Sequence, residues 1–190
     1  MDAITSSETN NAELCSRAVF HARRAAELDA CNPDAHVALM QVYTMLKMPP
    51  AVINEAQAAV NSSPWKARYY DITAAAIMQV AWPSLERGDL RSARTCFQQV
   101  LDLQEAMPAG VDGEAPRLHL AAGQSALLMG DTEQACRYLS MAADDSNCSR
   151  AAVRWLLGAE YIKGWPGRKA GVPLEPDELQ RLLGYLQKQE

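Results

Sequence analysis

The sequence predicts an all-α protein in which antiparallel helix pairs stack in series. Three observations lead there. Hydrophobic residues make up 48% of the chain, much of it Ala, Leu and Met, while aromatics supply only 6%. Those aliphatic residues favour helix, whereas a sheet protein draws on β-branched and aromatic side chains. Apolar positions recur at helical spacing almost from end to end, interrupted by short turn signals. The same arrangement of small and bulky residues also returns several times along the chain.

Met1 to Asn11 is polar and rich in Ser, Thr and Asn, so a disordered tail is expected over 1–11. It has neither the basic nor the apolar section of a secretion signal. Ala12 to Leu28 reads as a helix with Leu14, Ala18, Ala22, Ala25 and Ala26 on one side. Asn32-Pro33-Asp34 ends it and starts the next, Ala35 to Leu46. Pro49-Pro50 opens a return helix, Ala51 to Val60, which Asn61-Ser62-Ser63-Pro64 closes. Trp65 to Arg87 is expected as one long helix, kinked at Pro83. After the Gly88-Asp89 turn comes Leu90 to Ala106, then a loop from Pro108 to Pro116. Arg117 to Met129, the turn Gly130-Asp131 and Thr132 to Ala143 form a further pair. Ser146 or Ser149 caps a helix ending at Lys163, and Gly164 to Pro173 is irregular. Pro176 to Gln187 is a last amphipathic helix with Leu179, Leu182, Leu183 and Leu186 on its apolar side. The organisation is thus a tail (1–11), a repeat region (12–164) and a loop with a final helix (165–190).

Bulk properties narrow the function. A net charge of −5 leaves no broad basic surface for phosphates, so nucleic acid is not the expected partner. No run of 18 apolar residues exists, which argues against direct membrane insertion. The five cysteines (Cys15, Cys31, Cys96, Cys136, Cys148) form no Cys-x-x-Cys pair and are odd in number. That suits a reducing compartment, and a cytoplasmic location is expected. His21, His36 and His119 lie far apart and no glycine-rich phosphate loop is present, so neither metal nor other cofactor is expected. No nucleophile is set beside a base, and an enzyme is not predicted.

The repeat is clearest in Ala122-Gly123, Ala126, Gly130-Asp131, Ala135, Leu139 and Ala142. Its spacing returns as Val80-Ala81, Ser84, Gly88-Asp89, Ala93, Phe97 and Val100, and more weakly as Leu39-Met40, Tyr43, Lys47-Met48, Val52, Ala56 and Ala59. Leu157-Gly158 with Tyr161 opens a fourth copy. Small residues let two helices approach, a bulky one fills the gap to the next pair, and Gly-Asp makes the turn and caps the following helix. Each pair leaves an apolar face that only a neighbour can bury.

This pattern resembles the tetratricopeptide repeat family over roughly Leu14 to Lys163, with degenerate copies. The resemblance implies a right-handed superhelix and a concave groove lined by the first helix of each pair; the C-terminal helix, through Leu179 to Leu186, is expected either as a cap on the last pair or across the groove itself. It places Val37, Ala38, Gln41 and Met45 in the groove from one pair. Met78, Gln79, Trp82 and Leu85 follow from the next, and Arg117, Leu120, Gln124 and Leu127 from the third, with Trp155 and Ala159 beyond. Of these, Gln41, Met45, Met78, Gln79, Trp82, Arg117, Leu120 and Gln124 are the expected peptide-binding residues. The set lacks the Lys, Asn and Arg with which some relatives grip acidic tails, Arg117 excepted. An apolar or amphipathic segment of another protein fits it better. The expectation is a non-catalytic interaction module, with self-association of the array as a further possibility. A second resemblance, in residues 61–70 and Leu85-Glu86-Arg87-Gly88-Asp89, is to the soluble tail of bacterial O-antigen ligase or polymerase proteins, which implies a role in assisting glycan transfer.

Overall fold

The computed structural model describes the backbone of residues 2–189 and the side chains of residues 13, 14 and 16–189. The described residues form nine helices and no strand: α1 (Asp2–Leu28), α2 (Pro33–Met45), α3 (Pro49–Ser62), α4 (Ala67–Glu86), α5 (Leu90–Ala106), α6 (Pro116–Leu128), α7 (Thr132–Ala143), α8 (Ser149–Lys163) and α9 (Pro176–Gln187). The tail expected over 1–11 falls where side chains lie outside the described residues; the backbone there belongs to α1.

Three helix pairs, α2/α3, α4/α5 and α6/α7, share one turn. In each, the residue after the turn donates its N–H back to a carbonyl five residues earlier: Met48 to Tyr43 at 3.0 Å, Asp89 to Ser84 at 2.9 Å, Asp131 to Ala126 at 2.9 Å. Such a closure needs a left-handed residue just before the donor. Gly88 (φ 77°) and Gly130 (φ 89°) supply it, and Lys47 adopts φ 55° in the first pair. Asp89 and Asp131 then cap the next helix, accepting from Ser92 N at 3.1 Å and Gln134 N at 2.9 Å. Met48 cannot do so, and Pro49 at the first helical position limits the loss because it brings no N–H to satisfy.

Within the pairs, small residues set the separation. A Cβ on Gly123 of α6 would lie 2.5 Å from Leu139 Cγ of α7. Ala126, Ala135, Leu139 and Ala142 around that contact are fully buried. The α4/α5 pair repeats the arrangement with Ala81, Ala93, Phe97 and Val100. Successive pairs are tied by side chains as well as by packing. Thr73 of α4 donates to the Ala56 carbonyl of α3 at 2.8 Å. Asp71 of α4 accepts from Leu118 N at 2.9 Å, capping α6, whose own N-cap residue Ala115 offers no acceptor.

One boundary differs from expectation. The fourth helix begins at Ala67 rather than Trp65, because extended Lys66, after a turn at Trp65, bridges to Asp112 in the loop before α6. Asp112 N donates to Trp65 O at 2.7 Å, and Ala67 N donates to Asp112 O at 3.2 Å. That partner is distant in sequence, so no local signal marks the boundary. Pro83 lies in the last turn of α4, where the helix continues through it to Glu86.

The pair contact and the turn each make a prediction. Gly123→Ala forces Leu139 out of place and should cost about 1–3 kcal/mol. Lys47→Gly relieves a left-handed lysine and should stabilise by about 0.5–1 kcal/mol. Urea unfolding of both variants reads the two signs.

Candidate functional site

The last helix defines the site. After α8 the chain runs back along the α6 terminus, with Gly171 N donating to Gly130 O at 3.0 Å and Leu174 N to Leu128 O at 3.1 Å. Arg94 of α5 donates to Leu174 O at 2.9 Å, and Arg168 bridges to Glu178 at 2.9 Å. α9 then starts with a capping box between Glu175 and Glu178. It runs antiparallel to α8. Leu182 and Leu186 lie over Gly158, where a Cβ would come within 3.1 and 2.9 Å of their methyls. Tyr185 stacks on Tyr161 at 4.1 Å between centroids, and Arg181 sits 4.8 Å from the Trp165 ring and 5.7 Å from that of Tyr161.

α9 therefore lies on the side lined by first helices, and a cleft of about 640 Å³ remains between it and them. Trp82, Leu85 and Glu86 of α4 form one wall, Gln124 of α6 and Trp155 of α8 the floor, and Leu179, Gln180, Leu183 and Gln187 of α9 the other wall. Trp82 stands edge-on to Phe97 at 6.3 Å and tilted against Trp155 at 5.9 Å. Trp155 is buried, whereas Trp82 keeps part of its ring open to the cleft. Gln124, Gln180 and Gln187 bring amides to the rim, Glu86 a carboxylate, and Arg154, half-buried, a guanidinium.

The eight expected binding residues take different places. Trp82 and Gln124 meet in the cleft. Met78 is buried between helices, its sulfur accepting from the Ser125 hydroxyl at 3.9 Å. Leu120 is half-buried beside Ala142, Cys148 and Ala152. Gln41, Met45, Gln79 and Arg117 are exposed and outside the cleft. Leu179, Leu183 and Gln187 of α9 join Trp82 there, so the last helix lies along the groove side, one of the two placements that the sequence left open. An amphipathic stripe on α9 shows that one side is buried, not which neighbour buries it.

Other chemically capable groups are occupied structurally. Burial pushes the thiols of Cys96 and Cys148 up, which suppresses thiolate formation near neutral pH. Burial also raises the Asp71 carboxyl, against the pull of the Leu118 N–H and Arg117. His119 is held below its usual pKa by burial, with Nδ1 2.8 Å from Gln104 Oε1. No group of three or more His, Cys, Asp or Glu suited to a metal occurs among the described residues. No described helix is long and apolar enough to cross a membrane.

Repeated turns, small-residue pair contacts and serial stacking define a tetratricopeptide-like helical repeat array. A solved structure bears this out: the chain is similar to the crystal structure of MamA, with a TM-score of 0.52 and 15% identity, over 100% of this chain and 95% of that one. No protein-family model matches the chain, and no curated protein matches it.

The packing of the two tryptophans predicts unequal costs. Trp155→Ala leaves a buried cavity and should cost about 3–5 kcal/mol. Trp82→Ala loses chiefly two aromatic contacts, about 1–3 kcal/mol. Chemical denaturation of each variant measures the difference.

Proposed function

We propose that the chain is a non-catalytic interaction module, and that the cleft between α4, α6, α8 and α9 holds an apolar or amphipathic segment of a partner protein. The observation that carries this reading is Trp82: a large aromatic ring left partly uncovered in a cleft where Leu85, Leu179, Leu183 and Leu186 alternate with amides and charged groups. Partly open tryptophans with a dry surround are the residues on which binding energy concentrates. About 640 Å³ accommodates one or two bulky side chains with their backbone, not a whole helix. One anchor residue entering between Trp82, Trp155 and Leu183 satisfies the apolar floor. The amides of Gln124, Gln180 and Gln187 then meet the backbone of the segment, since each both donates and accepts. Exposed Gln41, Met45, Gln79 and Arg117 extend the surface available to the rest of the partner, Met45 through an adaptable thioether.

A displayed peptide library tests the proposal. Selected peptides should carry Leu, Phe or Trp at one fixed position and quench Trp82 fluorescence. Trp82→Ala with Gln124→Ala should weaken them by about tenfold or more while the helical circular dichroism is retained. Peptides that bind the folded double variant as tightly as the wild type would move the site elsewhere.

A further inference from the structure

We propose that copies of this chain associate head to tail, with α1 of one copy packing as the return helix against α8 of the next. Every interior pair consists of a first helix and the return helix after its tight turn: α2 with α3, α4 with α5, α6 with α7. The two ends of the array break that rule in complementary ways.

At the start, α1 stacks on α2 as α3 stacks on α4 and α7 on α8, which is the place of a return helix. Val19, Ala22 and Ala26 pack on the α2 side, and Arg23 Nε donates to the Tyr43 hydroxyl at 2.8 Å. The next stripe round the helix is Leu14, Ala18, His21, Ala25 and Leu28, spaced alternately by four and three as a helix–helix seam requires. Ala18 in it is half-buried, but His21 and Ala25 are exposed, Leu14 is 55% exposed and Leu28 71%. This is the side on which a return helix meets its own first helix.

At the other end, α8 is a first helix whose close contact at Gly158 is taken by α9 from the cleft side. Its Ala152 packs with Ala142 and Cys148. Val153 and Leu157, one turn apart, remain 50% and 43% exposed. Uncovered apolar faces on α1 and α8, one of return-helix and one of first-helix kind, are complementary surfaces for a stacking contact.

The occupant follows from charge as well as shape. Laying α1 antiparallel on α8 with His21 against Leu157 sets Ala25 against Val153. The same register brings exposed Arg17 beside Glu160 and exposed Glu27 beside Arg150, opposite charges in both cases, while Arg24, which pairs with Glu27 at 3.0 Å, comes opposite half-buried Arg154. Because the two surfaces differ, the contact is heterologous and does not close at a dimer.

Sedimentation and light scattering on the full chain test this. The wild-type mass should climb past that of a dimer as concentration rises. Leu14→Arg and Leu157→Arg each block one end and should leave monomers, with association weakened about tenfold or more. Both sites are at least two-fifths exposed, so the variants should keep the wild-type circular dichroism. An equimolar mixture of the two variants retains one intact pair of ends and should stop at a dimer. A wild type that stays monomeric at all concentrations, a wild type that halts at a dimer, or a mixture that stays monomeric would each overturn the proposal.

Discussion

The fold depends on how closely α6 and α7 can approach, and Gly123 sets that distance. With Leu139 Cγ 2.5 Å from where a Cβ would stand, the contact has no room for any side chain at 123. Ala81 with Ala93 and Phe97, all buried, fill the same role in the preceding pair. Close approach lets each pair present a narrow ridge to its neighbour, so apolar area is buried serially rather than around one centre. The shared turn enforces the geometry from the other end, since the same backbone closure recurs in all three pairs.

Serial packing explains why the site falls where it does. First helices α4, α6 and α8 bring Trp82, Gln124 and Trp155 to one side, and α9 returns across that side instead of extending the stack. α9 is held at many points. Leucines cover Gly158, Arg181 lies against Tyr161 and Trp165, and Arg168 bridges to Glu178. Its wall is therefore a fixed side of the cleft. Asp71 adds a second constraint, because by capping α6 it sets the register of Gln124 beside Trp82.

Much of the fold was legible in the residues, for identifiable reasons. Helices α5, α7 and α9 begin and end where their turn residues place them, since Asp89, Asp131 and Pro176 act through local backbone chemistry. The start of α4 was not legible, because extended Lys66 and its neighbours answer to Asp112 on another loop. The site was legible only to a degree. Trp82 and Gln124 share a cleft because the repeat spacing fixes which side of a first helix they occupy. Met78 follows the same spacing, yet turns to Ser125 and is buried. The match at Leu157-Gly158-Tyr161 marks a real close contact, but the helix entering it is α9, after the irregular segment 164–175. Spacing records that a neighbour comes close and is silent about which one.

Both the cleft and the uncovered Val153 and Leu157 follow from α9 packing on the cleft side of α8. Nuclear Overhauser contacts of assigned leucine methyls measure this directly. Contacts are expected from the Leu182 and Leu186 methyls to the Gly158 α-protons, and none to the methyls of Val153 or Leu157. Contacts from α9 to Val153 and Leu157, with Gly158 silent, would place the helix on the opposite side and contradict both the cleft and the open end of the array.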